Sequence, residues 1–405
     1  TNQEGFIMKE QKIADGIVYI GVNDRTIDLF ESQYVVPNGV SYNSYCILDE
    51  KIAIMDTVDY RMSGEWLMNL DAVLQGKVPD YLIISHLEPD HAGTIAEFVA
   101  QYPQVTLVGN AKTFAMLPNF FDLKDQPKLT VAEGDTLSLG VHTLQFFMAP
   151  MVHWPETMMT FDETDGVLFS GDGFGCFGTV DGGFLDTRIN VDKYWGEMVR
   201  YYSNIVGKYG SPVQKALQKL GGLPISAICS THGPVWTENI AKVIGIYDRL
   251  SRYDADEGVV IAYGSMYGNT EQMAEAIAEE LSAQGVKNIV MHNVTKSHPS
   301  YILADIFRYK GLIVGSPTYS NQIFPEVESL LSKILVRELK GRYLGYFGSF
   351  TWAGAAVKRM AEFAEKSKFE LVGDPVEMKQ AMQDITYTQC ENLARAMADR
   401  LKKDR

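Results

Sequence analysis

The first part of the chain, up to residue 254, carries short apolar runs separated by glycine, proline, asparagine and aspartate. Apolar runs of this length between turn-forming residues are typical of buried β-strands. Strands are therefore predicted over residues 16–22, 45–48, 52–55, 81–85, 105–108, 144–149, 166–170 and 225–230.

The pattern changes near the acidic segment 254–258, after which strand-like and helix-like stretches alternate. Met273, Ile277 and Leu281 stand four residues apart, which is the spacing of one helix face. Strands are predicted at 258–263, 289–292, 311–315 and 343–348, with helical sequence between them. Such alternation indicates a doubly wound parallel sheet. The predicted fold class is α/β, with a larger α/β domain over residues 1–254 and a second domain over residues 255–405.

Composition excludes several classes of protein. The 405 residues include 36 Lys and Arg against 51 Asp and Glu, a net charge of −15, which argues against nucleic acid as a partner. No run approaches the roughly 20 apolar residues of a membrane span, and residues 1–12 are too polar for a signal peptide. A cytoplasmic protein without membrane contact is expected. The four cysteines are far apart and show no CxxC pairing, so four reduced thiols are predicted at Cys46, Cys176, Cys229 and Cys390.

Histidines and carboxylates follow four of the predicted strands at the point where each strand ends. They are His86, Glu88, Asp90 and His91 after strand 81–85, then His153, Asp172 and His232 after strands 144–149, 166–170 and 225–230. A loop at a strand end can direct alternate side chains toward one point, as a metal site requires. Each histidine taken alone has an equal claim to be an ordinary core or surface residue. Because the set exceeds the four ligands usual for zinc, two metal ions sharing a carboxylate are the better interpretation.

A loop suited to phosphate follows the strand at 258–263. Residues 264–270 read Gly-Ser-Met-Tyr-Gly-Asn-Thr, contain no acidic side chain, and lead directly into a predicted helix. Backbone N–H groups at a helix N-terminus, together with Ser and Thr hydroxyls, can hold a phosphate without Lys or Arg. The loop matches neither a Walker A sequence nor GxGxxG. Alone, such a turn is as readily explained by helix capping.

The motifs of the first domain resemble those of the metallo-β-lactamase-like fold, in the same order along the chain. They are His86-x-Glu88-x-Asp90-His91, His153, Ser170-Gly-Asp172 and Thr231-His232-Gly233. The hydrolases of that family usually carry a second histidine where this chain has Glu88. With Glu88 at this position, the motif resembles that of the flavodiiron branch of the family. The resemblance implies an αββα sandwich as the first domain.

The resemblance also implies a ligand assignment. His86, Glu88 and His153 would bind one iron, and Asp90, His91 and His232 the other, with Asp172 bridging the two. In some family members the histidine matching His91 is not a ligand, so both possibilities stand for His91. His and carboxylate ligands with open positions suit non-haem Fe(II). Most aromatic residues near the motifs are expected to be core, with Tyr194 or Glu156 contributing a hydrogen bond or a proton.

The second domain resembles flavodoxin in three loops that follow its first, third and fourth strands. The resemblance implies that these loops bind FMN and that Tyr319 and Trp352 flank its ring. The implied FMN-binding residues are Ser265, Met266, Tyr267, Gly268, Asn269 and Thr270 in the first loop, Pro317, Thr318, Tyr319 and Asn321 in the second, and Ser349, Phe350, Trp352, Ala353 and Gly354 in the third. Loops at the strand C-termini of an open α/β sheet are where ligands bind.

The two resemblances together imply a flavodiiron reductase of dioxygen, of nitric oxide, or of both. FMN would be the immediate electron donor, and a rubredoxin or another separate carrier, in some relatives a deazaflavin, would supply electrons to it. A head-to-tail homodimer or a dimer of dimers is implied, because it brings the flavin of one subunit to the irons of another.

Two alternatives remain. One is a zinc hydrolase of the metallo-β-lactamase kind with an appended flavodoxin domain. Glu88, which stands where such hydrolases usually have a histidine, argues against this alternative. The other is an electron carrier with a purely structural first domain, which would have no physical reason to keep three carboxylates beside its histidines.

Overall fold

The computed structural model describes residues 12–405. The polar residues 1–11, on which the expected absence of a signal peptide mainly rests, lie outside the described residues. The described chain forms two compact units that divide between Asp248 and Arg249. The division falls inside a helix, Ile240–Ser251, and the boundary predicted after residue 254 stays a prediction.

The first unit contains sixteen strands among its described residues. They are β1 (Lys12–Ala14), β2 (Ile17–Tyr19), β3 (Val22–Asp24), β4 (Leu29–Phe30), β5 (Tyr34–Val35), β6 (Val40–Tyr42), β7 (Tyr45–Ile47), β8 (Ala53–Met55), β9 (Tyr81–Ile83), β10 (Thr106–Gly109), β11 (Lys128–Thr130), β12 (Thr136–Ser138), β13 (Thr143–Met148), β14 (Met158–Asp162), β15 (Val167–Gly171) and β16 (Ala227–Ser230). Its helices are α1 (Ser63–Leu74), α2 (Pro89–Ala92), α3 (Ile95–Gln101), α4 (Ala111–Met116), α5 (Asp192–Tyr201), α6 (Gly210–Leu220) and α7 (Ile240–Ser251), which continues into the second unit.

Most of these strands form two sheets that enclose one core. A seven-stranded sheet has the order β1-β2-β7-β8-β9-β10-β11, and a five-stranded sheet has the order β12-β13-β14-β15-β16. Apolar side chains from both sheets pack together, including Ile47 and Ile83 from the first and Phe146 and Phe169 from the second. Burial of such side chains contributes about 1.5–3 kcal/mol each. The predicted sandwich of the metallo-β-lactamase type is therefore confirmed.

The predicted strand at 16–22 is divided in two. β2 pairs with β7 in the large sheet, whereas β3 pairs with β6 in a separate ribbon. Gly21 lies at the change of direction, where an added Cβ would come within 2.7 Å of the Tyr42 carbonyl oxygen. The close approach of two backbones at Gly21 lets the chain leave the sheet, a feature that an apolar pattern does not reveal.

The second unit alternates strands and helices. Its strands are β17 (Asp256–Tyr263), β18 (Ile289–Asn293), β19 (Tyr309–Tyr319), β20 (Gln322–Ile323), β21 (Tyr343–Phe350), β22 (Glu370–Leu371) and β23 (Val376–Lys379). Its helices are α8 (Asn269–Ala283), α9 (Pro299–Arg308), α10 (Pro325–Val336), α11 (Ala356–Ser367) and α12 (Asp384–Lys402). The sheet has the order β18-β17-β19-β21-β22, with parallel pairing throughout this path.

This strand order is the one found in flavodoxins, in which the second strand lies at the edge and the first strand beside it. Helices α8 and α12 pack on one face of the sheet, where Met273 and Ile277 meet Leu393 and Met397 in a shared core. The predicted doubly wound sheet is confirmed. Its C-terminal strand ends lie side by side, so the loops after β17, β19 and β21 share one edge.

Candidate metal centre and flavin site

The ends of four strands deliver the predicted metal ligands to one place. The segment 85–93 follows β9 and includes α2, whose first residue is a proline that suits a helix start. Asp172 follows β15 directly, and His232 lies two residues after β16. His153 lies in the turn between β13 and β14. These side chains form two adjoining groups, namely His86, Glu88, His153 and Asp172 in the first and Asp90, His91 and His232 in the second.

Asp172 stands between the two groups. Its Oδ2 lies 3.2 Å from His153 Nε2 and 3.5 Å from His86 Nε2, in the first group. Its Oδ1 lies 2.8 Å from His91 Nε2 and 3.6 Å from His232 Nε2, in the second. Each oxygen of one carboxylate therefore faces a different set of histidines, which is the arrangement of a bridging ligand.

The remaining carboxylates complete each group. Glu88 Oε2 lies 3.2 Å from His86 Nε2 and 3.0 Å from His153 Nε2. Asp90 Oδ2 lies 3.1 Å from His232 Nε2 and 3.2 Å from His91 Nε2. All the predicted ligands thus converge, and His91 points the same ring nitrogen at the cluster as His232 does.

Several buried ligand atoms have no hydrogen-bond partner, which suits binding of metal ions. Both oxygens of Asp90, both ring nitrogens of His91, Asp172 Oδ2 and His232 Nε2 are buried and have no hydrogen-bond partner among the described residues. An unsatisfied buried polar atom costs about 1–3 kcal/mol, so several at one point require a further partner. A pair of cations between the groups would satisfy all of them. The residues present therefore fit the diiron site that the resemblance implies.

Charges in the cluster compensate each other strongly. Burial lowers the pKa of His91, but the carboxylates of Asp90 and Asp172 raise that pKa well above its usual range. Burial raises the pKa of Asp172, but the neighbouring histidines hold it well below the ordinary value. The buried carboxylates therefore need positive charge close by, which protons provide in the metal-free chain and metal ions would provide in its place.

Two histidines are oriented by acceptors behind them. His86 Nδ1 lies 2.7 Å from Glu156 Oε1, which also accepts from the Leu87 N–H at 2.8 Å. His232 Nδ1 donates to the Ser41 carbonyl oxygen at 2.7 Å. Acceptors of this kind fix the ring so that the other nitrogen faces the metal. The structure thus places Glu156 where it holds His86.

Replacing Glu156 with alanine is expected to weaken iron binding by roughly 10–100-fold, as loss of such an acceptor typically does. Glu156→Gln should retain most of the affinity, because an amide oxygen can still accept from His86 and Leu87. The comparison is made by iron content after dialysis against graded chelator. Equal iron loss from the alanine variant and the unmodified chain would show that Glu156 does not hold His86.

Tyr194 lies in a different environment from the one predicted for it. Its hydroxyl donates to the Thr179 carbonyl oxygen at 2.7 Å, and its ring packs beside Gly178. Tyr201 lies closer to the cluster, with its ring centroid 5.5 Å from that of His232. Both tyrosines belong to α5 and stand seven residues apart, two turns along the same helix face. The sequence alone did not distinguish them.

A pocket of about 470 Å³ borders both ligand groups, and it could not be found from the sequence. Its walls include Glu88 and Asp90 on one side and the β4–β5 hairpin with Glu31 on the other. Desolvation in the pocket and the charge of nearby Glu88 raise the pKa of Glu31 to about 8. Arg61 in the same wall pairs with Asp24 at 2.7 Å. The pocket offers a route from solvent to the ligands.

The three predicted flavin loops are hydrogen-bonded to one another. Thr270 Oγ1 lies 2.9 Å from Ser349 Oγ, which joins the first loop to the third. Thr318 Oγ1 accepts from the N–H groups of Ala355 and Ala356, which joins the second to the third. Helix α8 begins at Asn269, so its first N–H groups have no acceptor within the helix, and that of Glu271 donates to Ser265 Oγ in the first loop at 3.3 Å.

Two predicted loops are shorter than expected because the strands continue into them. β19 runs to Tyr319, and Thr318 and Tyr319 pair with β20. β21 runs to Phe350, and Ser349 and Phe350 pair with β23. The predicted strand ends at 315 and 348 were therefore wrong by a few residues. Pairing with a neighbour that is distant in sequence extends these strands.

Aromatic rings stand exposed on all three loops. The exposed fractions are 94% for Tyr267, 88% for Trp352 and 48% for Tyr319. Met266, another predicted residue, is also exposed. The backbone carbonyl oxygen of Asn321 accepts a hydrogen bond from Arg359. Gly354 lies where an added Cβ would contact the Glu377 side chain. Exposed rings beside a helix N-terminus fit a planar cofactor that carries a phosphate, as the resemblance to flavodoxin implies.

Comparison with known proteins agrees with this fold and site. Residues 40–233 match the family described as ODP family beta lactamase, and residues 261–393 match the flavodoxin family. The anaerobic nitric oxide reductase flavorubredoxin of Salmonella paratyphi B is 31% identical over 364 residues, covering 89% of this chain and 76% of that protein.

Two solved structures share the whole architecture. The rubredoxin oxygen:oxidoreductase from Desulfovibrio gigas is 32% identical, with a TM-score of 0.93 over 97% of this chain and 98% of the other. The flavodiiron protein from Giardia intestinalis is 26% identical, with a TM-score of 0.91 over the same shares. The class is thus a β-lactamase-like metal domain followed by a flavodoxin-like domain. The chain belongs to the flavodiiron protein family.

Proposed function

We propose that this protein is a flavodiiron oxidoreductase that reduces dioxygen to water, nitric oxide to nitrous oxide, or both. The observation that carries the proposal is the position of Asp172, whose two carboxylate oxygens face separate histidine groups. The names of the relatives support it, since one is a nitric oxide reductase and another an oxygen:oxidoreductase.

The ligands proposed for the two irons are His86, Glu88 and His153 for one, Asp90, His91 and His232 for the other, and Asp172 for both. When bound, the irons would supply open positions for the gas and two electrons, and reduced FMN two more. The protein residues orient and insulate this centre. Glu156 and Ser41 hold two of the rings, and the pocket beside Glu31 admits gas and protons.

FMN is proposed to bind at the three loops of the second unit. Ser265 and Thr270 with the N–H groups that open α8 would hold its phosphate, while Tyr319 and Trp352 would flank its ring. The proposed domain limits are residues 1–254 for the diiron domain and residues 255–405 for the FMN-binding domain.

Electron supply and assembly follow from the same proposal. A rubredoxin or another separate carrier is proposed to reduce the flavin, which agrees with the names of two relatives, a flavorubredoxin and a rubredoxin oxygen:oxidoreductase. A head-to-tail homodimer, alone or paired into a tetramer, would bring the flavin of one subunit to the pocket of another. Full activity of a monomer in sedimentation and turnover measurements would contradict this assembly.

A cytoplasmic location is proposed for the protein. Within residues 12–405, none of the helices combines the length and the apolar character that a membrane crossing requires. The net charge of −15 opposes binding to the phosphate backbone of nucleic acid, so no nucleic-acid partner is proposed.

The composition of the purified protein tests the proposed cofactors. We expect about two irons and one FMN per chain, measured by metal analysis and by flavin release on denaturation. Zinc in place of iron, with flavin that air reoxidises no faster than free FMN, would instead favour a metallo-β-lactamase-like hydrolase.

A further inference from the structure

His91 differs from His86 and His232 in how its ring is held. His86 and His232 each have a hydrogen-bond acceptor at Nδ1, and His153 contacts Glu88 through Nε2 at 3.0 Å. His91 is buried, yet its Nδ1 has no hydrogen-bond partner within residues 12–405. Its Nε2 only approaches the carboxylates of Asp90 and Asp172. The His91 ring is therefore not fixed by any acceptor behind it.

The backbone of His91 is fixed instead. Its carbonyl oxygen accepts two hydrogen bonds from one residue, Thr57, from the N–H at 2.9 Å and from Oγ1 at 2.6 Å. Thr57 is completely buried, and its neighbour Asp56 accepts from the Ser85 N–H at 2.7 Å. The segment after β8 thus holds the ligand-bearing segment at two points, one before His86 and one at His91.

The carbonyl group and the side chain of His91 are both attached to its Cα. Hydrogen bonds that fix the carbonyl therefore also restrict the position of the ring. Helix α2 has only four residues, so few of its own hydrogen bonds resist rotation of this backbone. Loss of the Thr57 hydroxyl would leave one donor at the carbonyl and allow the peptide to tilt. The ring would then be free to shift relative to Asp90 and Asp172, because no acceptor at Nδ1 opposes the motion.

We propose that Thr57 is the positioning residue for His91, in place of the Nδ1 acceptor that His86 and His232 have. The proposal rests on the proposed function, since it concerns the iron that the group Asp90, His91 and His232 would hold. Thr57 itself touches neither substrate nor metal in this assignment. It determines how firmly His91 is presented to the second site and therefore how firmly that iron is retained.

The test compares iron release from the full-length protein loaded with Fe(II), using an excess of a chelator under anaerobic conditions. Thr57→Val removes the hydroxyl at nearly constant side-chain volume. Thr57→Ser keeps the hydroxyl and removes only the methyl group. Thr94→Val is the matched control, because Thr94 is equally buried and its hydroxyl donates to the neighbouring Val58 carbonyl oxygen at 2.9 Å. Thermal unfolding of each variant separates metal retention from general stability.

We expect Thr57→Val to lose one of its two irons at least tenfold faster, as loss of an outer-shell partner typically weakens a site 10–100-fold. The other iron, the Thr57→Ser variant and the Thr94→Val control should behave as in the unmodified protein. His91→Ala should also release one iron rapidly, and adding Thr57→Val to it should have no further effect, since the two changes act through one ligand.

Release from Thr57→Val no faster than from Thr94→Val would overturn the proposal, as would additive effects of Thr57→Val and His91→Ala. Unchanged release from His91→Ala would overturn it as well, because a ring without a role needs no positioning. If Thr57→Val does not fold, Thr57→Ala takes its place in the same comparison. An unmodified protein that binds no iron would instead refute the proposed function before any variant is compared.

Discussion

Replacing Asp172 with alanine is expected to abolish reduction of both gases and to leave less than one iron per chain. Among residues 12–405, Asp172 is the one carboxylate with oxygens facing both histidine groups, so its loss weakens both sites together. Removal of a direct ligand should exceed the 10–100-fold effect of losing an outer-shell partner, so a loss of more than roughly 100-fold in turnover is expected. Iron analysis and gas consumption by the same preparation measure it.

A second acidic cluster provides the control for this experiment. His142, Asp162 and Asp165 also lie close together, with His142 Nδ1 3.2 Å from Asp162 Oδ1. Asp162 is already satisfied by the Asp165 N–H at 2.9 Å, as expected of a turn rather than a metal site. Asp165→Ala should therefore keep both irons and full turnover. Loss of iron from Asp165→Ala would contradict the assignment of Asp172 as the bridge. Retention of both irons in Asp172→Ala would contradict it as well.

Replacing Trp352 with alanine is expected to lower FMN affinity by roughly 5–150-fold, the equivalent of the 1–3 kcal/mol that stacking on an aromatic side chain is worth. Stability of the flavin-free protein should not fall, because the ring is 88% exposed and buries little surface. Gas reduction should decline only to the extent that flavin is lost, and excess FMN should restore it. Titration of the flavin-free protein with FMN, followed by fluorescence, gives the affinity.

Leu371→Ala serves as the control for Trp352→Ala. Leu371 is 48% exposed and pairs with Leu344 near the start of β21, at the opposite end of the sheet from the flavin loops. Its loss should leave FMN affinity unchanged. An affinity of the Trp352→Ala variant equal to that of this control would show that Trp352 does not contact the flavin ring.

The metal cluster was accessible from sequence because its ligands follow strands. Apolar runs located β9, β15 and β16 with small errors at their ends, and side chains placed directly after a strand must emerge at a sheet edge. All seven predicted ligands do converge. The flavin loops were accessible for the same reason, because they follow three parallel strands. Where a site is built on strand ends, its residues are close in space whenever the strands pair.

Features that depend on packing between distant segments could not be predicted in this way. The sequence gives no reason to prefer Tyr201 over Tyr194 near the metals, since only the orientation of α5 decides between them. The contact between the hairpin with Glu31 and the ligand segment joins residues more than fifty positions apart. Strands β19 and β21 continue past their apolar runs because β20 and β23 pair with them.

Gas reduction is proposed to take place at two irons supplied with electrons by FMN. Anaerobic reduction of protein containing both cofactors, followed by separate pulses of dioxygen and nitric oxide, tests it most directly. We expect rapid reoxidation of the flavin, with consumption of one or both gases and release of water or nitrous oxide, and neither reaction in Asp172→Ala. Flavin reoxidation no faster than that of free FMN, with the same rate in Asp172→Ala, would contradict it.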